Sequence, residues 1–495
     1  MPLFYQIFKY LDIILLIMKR KQTLTAESPD LQNTLGSPNI LRSPDFKSEL
    51  LQIALPVTLQ TLMQASLSLI DQIMIGRLGS EAISGIGLAG KFASLFLVVL
   101  NAIVTAAGIL ISQYFGAKNK KGINTSFFLL FYVSVLLALG FVAVSFVFPT
   151  QIMSFYSNDG GTITEAAIYL KWRTIGFLPS VITLFISTML RNMKKAKLPA
   201  LAGAISIILN TVLNWLLIFG KFGLPCLGST GAALATGIAQ CVEMLILLSF
   251  FFYEEKKQDL YLKPVFTFSK DFLSKVWTIL FPILLGEFLW SLGENMYAVI
   301  YGHLGTEPCA SMTLMYPIQG IAIGALCGVS SAAGIITGNA LGSGDNEKAW
   351  NYAQKFVRLT VLSGIAIGLF VCLVSPLYVR LFNVESETRL GTIKILVAFS
   401  LVFTAKVFNM VVGGGVLQSG GETKFMTAVN IIGTWLFGVP LGFVTAYAFH
   451  LPIWWVYFIL SLKEYVRLAI SVHLLHSRKW MKNVATNGGY HGKHC

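Results

Sequence analysis

Three carboxylates, one amine and a pair of amides in this sequence sit where charge and polarity are expensive. Asp71 is the one ionised residue in the apolar run 51–75, and Glu287 and Glu294 are the only ones in the run 276–302. A charge at the centre of a bilayer costs roughly 2.5 to 3.5 kcal/mol on insertion scales, so such a group is kept for a partner or a task. Desolvation favours the protonated form of a carboxyl group, so a carboxyl at this depth can take up and release a proton near neutral pH. Glu287 and Glu294 are seven positions apart and share a helix face. Lys406 lies near the middle of another apolar run, 389–417. It is expected to neutralise Glu287 or Glu294, since an unpaired charge there is costly. Asn210 and Asn214, four apart, present two amides on one face of a further run. Other chemistries find no constellation. The six cysteines are scattered without a C-x-x-C, and the six histidines are terminal or at the ends of apolar runs. No zinc site, disulfide framework or metal-dependent enzyme is implied, and no cofactor is expected.

The elements that position these groups are membrane helices. Of 495 residues 55% are hydrophobic and 12% charged, far from the roughly 25% charged of a soluble domain, and the mean hydropathy is +0.70. Twelve apolar runs are each long enough for a helix to cross a hydrocarbon core: 51–76, 84–114, 123–148, 162–190, 198–220, 228–252, 276–302, 310–340, 349–375, 389–417, 425–448 and 452–475. The sequence also repeats itself. At one constant offset, and without a gap, Pro56 falls on Pro282, Gly76 on Gly302, Gly79 on Gly305, Glu81 on Glu307, Gly108 on Gly334, Ile109 on Ile335 and Gly116 on Gly342. Corresponding runs are six apart, an even number, so both copies enter the bilayer in the same direction and a pseudo-twofold lies along the membrane normal. Parallel repeats around a central cleft are a transporter architecture.

The expected organisation is an all-α membrane protein of two parallel-related six-helix lobes around a central cleft. Residues 1–48 are expected to form a disordered cytoplasmic extension rich in Ser, Pro and Thr, 49–253 the first lobe, 254–275 a linker, 276–476 the second lobe and 477–495 a basic tail. In the extension, an interfacial anchor at Tyr10 to Met18 and a start at Met18 both fit. The formal charge of +14 suggests no nucleic acid, because the Lys and Arg residues fall in alternate connections, as the positive-inside rule requires. That rule puts both termini in the cytoplasm, and the expected location is the plasma membrane. Asn124-Thr125-Ser126 matches the glycosylation pattern but sits in a connection expected to be cytoplasmic. Lys91, Glu243 and Glu464 are expected at the membrane interface.

After about residue 46 the chain resembles the multidrug and toxic compound extrusion (MATE) family over nearly its whole length. The motifs that carry the resemblance are A-L-P and D-Q-I-M-I-G-R-L-G at 71–79, S-Q-Y-F-G-A-K at 112–118, N-T-V-L-N-W-L-L-I-F-G at 210–220, L-G-S-T-G-A-A-L-A-T at 227–236, N-A-L-G-S-G-D at 339–345 and L-Q-S-G-G-E-T-K at 417–424. The resemblance implies a secondary antiporter, not an enzyme, that exports organic and mostly cationic, amphipathic drug-like compounds in exchange for H+ or Na+.

On that resemblance Asp71 matches the first-helix acid of proton-coupled members, and Asn210, Asn214 and Thr236 match positions lining the polar pocket of the same lobe. Some relatives carry Asp where this chain has Asn214, so Asp71 acts there without a second carboxylate. Glu287 stands for the glutamate of sodium-coupled members, whose partner acid in the tenth helix is missing. Trp290, Met296, Tyr297 and Tyr316 are candidates for the substrate cavity. A flippase of lipid-linked precursors in the same superfamily is the nearest rival, and it is disfavoured because the ionisable groups at depth read as chiefly acidic. A membrane enzyme or channel is further off. A monomer in the lipid bilayer is expected.

Overall fold

The computed structural model of the chain describes residues 44–75, 80–156, 159–257, 262–304, 306–380 and 386–483. The expected N-terminal extension up to residue 43 and the tail beyond 483 lie outside them.

The first half holds α1 (Pro44–Ile75), α2 (Ser80–Gly116), α3 (Lys120–Val147), the short α4 (Pro149–Ser154), α5 (Gly160–Arg173), α6 (Phe177–Asn192), α7 (Lys197–Phe219) and α8 (Gly228–Lys257). The second holds α9 (Lys270–His303), α10 (Thr306–Gly342), α11 (Asn346–Val379), α12 (Ser386–Phe408), α13 (Thr423–Ile431), α14 (Val439–Phe443), α15 (Ile453–Ser461) and α16 (Lys463–Ser477). Helices α5 and α6 run on as one span through a single 3-10 turn, and α12 continues to Leu417 as a π-helix. Among the described residues ten helices are long and apolar enough to cross a membrane. Helix α1 adds a further 32 residues. The last expected span, 452–475, is instead two helices broken at Leu462, because its second part carries Lys463, Glu464 and Arg467 and packs them inward.

The repeat is visible in where helices start. Those at 120 and 197 have counterparts at 346 and 423, each displaced by the interval that separates Pro56 from Pro282. Local chemistry explains the shared starts. Asn119 Oδ1 accepts from Gly122 N–H at 2.8 Å and caps α3, while its counterpart Asp345 accepts from Lys348 N–H at 2.9 Å and caps α11. Such side-chain acceptors satisfy donors that the first turn leaves open.

The same symmetry joins the halves. The C-terminal ends of α2 and α10 cross so closely that a Cβ on Gly116 would overlap Asn339 O, and one on Gly342 would overlap Gln113 O. Gln113 and Asn339 are themselves equivalent in the repeat, so residue i meets j′ and j meets i′, the signature of a twofold contact. Thr58 on α1 donates to Ala325 O on α10 at 3.3 Å. In the counterpart crossing, Val276, Ile279, Leu280 and Ile283 of α9 are buried in one core with Ala102 and Ala106 of α2. Before α9, Lys263 lies against the first half: Asn124 Nδ2 donates to Lys263 O at 2.7 Å and Asn124 Oδ1 accepts from Lys263 N–H at 2.9 Å. The asparagine of the glycosylation pattern is therefore engaged with the backbone of Lys263.

Candidate functional site

The second half encloses a charged cluster. Lys463, the first residue after the break at Leu462, points its Nζ at the Tyr297 hydroxyl (2.7 Å) and over the ring face, 4.0 Å from the centroid. Glu294 Oε1 lies 3.8 Å from the same Nζ. One residue on, Glu464 is held by Arg467 Nη1 at 3.2 and 3.1 Å and by Asn409 Nδ2 at 2.9 Å. Arg467 Nη2 also donates to Asn430 Oδ1 at 2.5 Å. Lys463 and Glu464 are 5% and 4% exposed. Buried charges of this kind persist only when paired and hydrogen-bonded.

Local backbone makes room for them. Side chains on α9 and α16 reach one another past Gly438, where a Cβ would overlap the Tyr297 hydroxyl, and Arg467 passes Gly433. Both glycines belong to a π-helical stretch, Ile432–Gly438, and Asn409 opens another, Asn409–Leu417. Extra residues per turn of this sort recur at functional sites because they re-aim side chains without ending the helix. A cavity of about 40 Å³ adjoins the cluster, lined among others by Glu294, Tyr297, Tyr316, Lys406, Lys463 and Glu464.

In the first half, α7 and α8 bring three polar side chains together. Asn214 Nδ2 donates to Asn210 Oδ1 at 3.3 Å, Asn210 Nδ2 to Thr236 Oγ1 at 3.4 Å, and Thr236 Oγ1 to Ala232 O at 2.9 Å. Helix α1 carries Asp71, whose side chain lies outside the described residues. Between the halves is a larger cavity of about 290 Å³, walled by α2, α6, α10 and the π-helical end of the tenth span. No group of three or more His, Cys, Asp or Glu with metal-holding geometry occurs among the described residues.

The MatE family model matches residues 56–216 and again 282–444, two stretches whose first residues, Pro56 and Pro282, are equivalent in the repeat. The chain belongs to the MATE family. A probable multidrug resistance protein NorM of Thermotoga maritima is 27% identical over 82% of this chain and 87% of its own length. An uncharacterized transporter YisQ of Bacillus subtilis is 21% identical over 89% and 97%, and a multidrug resistance protein MdtK of Yersinia enterocolitica 23% over 80% and 86%. Among solved structures, a MATE in the bent conformation superposes with a TM-score of 0.79 at 20% identity, covering 90% of this chain and 99% of that one. A transporter of the MOP superfamily from Pyrococcus furiosus, whose binding pocket is described as having reverse polarity, gives 0.78 at 20% identity over 89% and 97%. This chain is thus a multi-pass membrane transporter and not an enzyme.

Within this MATE fold the residues singled out from sequence fare differently. Asn210, Asn214 and Thr236 form one group. Glu294, Tyr297, Tyr316 and Lys406 line one cavity, whereas Glu287, Trp290 and Met296 line neither, and Glu287 is exposed. The expected pairing of Lys406 with Glu287 or Glu294 is corrected: among the described residues the ion pair of Glu294 is with Lys463, whose ammonium is also held by the Tyr297 hydroxyl, while Lys406 lines the same cavity without an ion pair to either glutamate. Glu464 is not interfacial but buried. Glu243 is half-buried in the field of Arg191 and not at an open surface. The reading of the groups at depth as chiefly acidic also fails here, since Lys406, Lys463 and Arg467 gather around two carboxylates. The missed residues had a signal. Lys463, Glu464 and Arg467 fall in the middle of the run 452–475, where a charge is as costly as at Asp71.

Proposed function

We propose that this MATE transporter is an antiporter that expels amphipathic organic compounds, chiefly cations, in exchange for H+ by alternating access. Its halves, 49–253 and 276–476, act as two lobes joined by the linker 254–275, in a monomer with both termini cytoplasmic in the plasma membrane. Asp71 is the coupling carboxyl of the first lobe, with Asn210, Asn214 and Thr236 as its polar surroundings. Glu294 serves the second lobe, and Glu287 is a secondary acid on the same helix.

The observation that carries this reading is the Glu294–Lys463 pair. At 3.8 Å, with 42% of the Glu294 side chain exposed, the pair is loose enough to be opened. An ammonium already stands where a metal cation would sit against Glu294, which favours protons over Na+ as the coupling ion in this half. The excess of cations around the cavity supports a second reading, a flippase of anionic lipid-linked precursors. Uptake of ethidium into inside-out proteoliposomes, under a proton gradient and a sodium gradient imposed separately, tests the choice. Uptake driven by the proton gradient and lost in Asp71→Asn is expected. Uptake driven by sodium alone, or surviving that substitution, would remove Asp71 from coupling, and no ethidium uptake at all would leave the flippase.

A further inference from the structure

The cavity between the halves is built largely from the repeat meeting itself. Thr105, Gly108 and Ile109 of α2 face Ser331, Gly334 and Ile335 of α10, each pair equivalent in the repeat. Its volume of about 290 Å³ is at the lower end of the roughly 300 to 1,000 Å³ usual for small-molecule pockets. Arg191, near the end of α6, is the only charged side chain among those lining the cavity.

That guanidinium is incompletely satisfied. Its Nη2 donates to Gln60 Oε1 at a long 3.3 Å. Among the described residues its Nε has no hydrogen-bond partner although it is shielded from solvent, and Asn192 Oδ1 beside it is in the same state. Glu243 of α8 contributes a field at Arg191 but makes no ion pair with it among the described residues. Buried donors and acceptors are seldom left open in folded proteins, and a specific open one calls for an explanation. Four hydroxyls around the cavity have spent their protons: Ser112 donates to Ile109 O (3.0 Å), Thr188 to Leu184 O (2.9 Å), Ser330 to Met410 O (2.8 Å) and Ser419 to Val416 O (2.7 Å). What they offer inward is lone pairs. The wall therefore presents one cation, several acceptors, and apolar surface from Ile109, Leu184 and Ile335.

We propose that this cavity binds an amphipathic organic carboxylate that also carries an N–H or O–H donor, with the carboxylate on Arg191 and the donor toward the hydroxyl oxygens and Asn192 Oδ1. Guanidinium suits a carboxylate because its planar fork can give two parallel hydrogen bonds. The site extends the cargo beyond organic cations, and its test needs no transport, so it stands or falls separately from the antiport reading.

Two dansyl probes of opposite charge decide it by fluorescence titration of the purified full-length protein in detergent. Dansylglycine carries a carboxylate and a sulfonamide N–H; dansylcadaverine carries the same fluorophore with an amine. Saturable dansylglycine binding is expected in the wild type, with Kd raised about tenfold or more in Arg191→Gln, as the loss of a charge-assisted contact does. Dansylcadaverine affinity should not fall in that variant. Gly414→Leu gives an independent reading: Gly414 lines the cavity and a Cβ there meets no atom within 4 Å, so a leucine has open space at its base, occupies part of the cavity and should abolish dansylglycine binding. Non-saturable dansylglycine binding in the wild type, or an unchanged Kd in either variant, overturns the proposal.

Discussion

Lys463 Nζ stands 3.8 Å from Glu294 Oε1 and 2.7 Å from the Tyr297 hydroxyl, so α16 and α9 meet through an ammonium, a carboxylate and a phenol at the centre of the second half. Tyr297 is the counterpart of Asp71 in the repeat. Where the first half carries an acid, the second carries a phenol that receives a lysine.

A double-substitution cycle on stability separates this pair from the lysine that sequence reasoning chooses. Glu294→Gln combined with Lys463→Met should show a coupling of about 0.5 to 1 kcal/mol, modest because Glu294 is 42% exposed. Glu294→Gln combined with Lys406→Met should be additive within about 0.5 kcal/mol. Thermal unfolding in detergent reads both, and the opposite pattern would restore Lys406 as the partner.

Glu464 and Arg467 are the tightest unit of the cluster, with side chains 5% and 14% exposed. Removing one partner leaves a buried charge unpaired, so Arg467→Met should cost about 3 to 5 kcal/mol. Joining it with Glu464→Met should recover most of that loss, since an apolar pair of similar volume is often neutral. A double variant no more stable than Arg467→Met would show that the remaining contacts to Asn409 and Asn430, and not the charge pairing, set the cost.

Gly438 admits the Tyr297 hydroxyl and the Lys463 side chain, whose Cδ would lie 3.0 Å from a Cβ there. Gly438→Ala should therefore destabilise by about 1 to 3 kcal/mol, as overpacking does. Combining it with Tyr297→Phe, which takes away the overlapped hydroxyl, should relieve part of the loss. A melting temperature unchanged by Gly438→Ala would mean that the eleventh span has room to shift.

The stretch after α16 closes the end of the molecule where α2 and α10 cross. Trp480 is fully buried and donates from Nε1 to Leu475 O at 3.1 Å, Gln113 Nε2 donates to Lys482 O at 3.2 Å, and Lys482 pairs with Glu422. Trp480→Ala should cost about 3 to 5 kcal/mol and raise the thiol-labelling rate of a Ser419→Cys reporter at this end. An unaltered labelling rate would leave Trp480 a packing residue without influence on that closure.

Architecture was legible from the sequence because the repeat carries its own punctuation. Asn119 and Asp345 cap equivalent helices, Gly116 and Gly342 let α2 and α10 cross, and one offset recurs in the helix starts. The grouping of Asn210 and Asn214 was legible for the same reason, being a local spacing on one helix. The cluster around Lys463 was not. It joins residues as distant in the chain as Glu294 and Glu464, across four spans, and which of two lysines reaches Glu294 depends on the glycines at 433 and 438 and on the register of π-helical turns, neither of which follows from apolar periodicity. Arg191 escapes a reading of the sequence because its position near the end of α6 looks like an ordinary basic connection until α10 and the tenth span close a cavity over it.

The exchange itself is tested most directly by reading protons while cargo moves. Proteoliposomes holding the transporter and the pH dye pyranine are given an ethidium gradient with no starting pH difference. Proton antiport requires protons to move opposite to ethidium, so luminal pH should rise as ethidium enters in the wild type and stay unchanged in Asp71→Asn. Ethidium movement with no pH change in the wild type would contradict proton antiport.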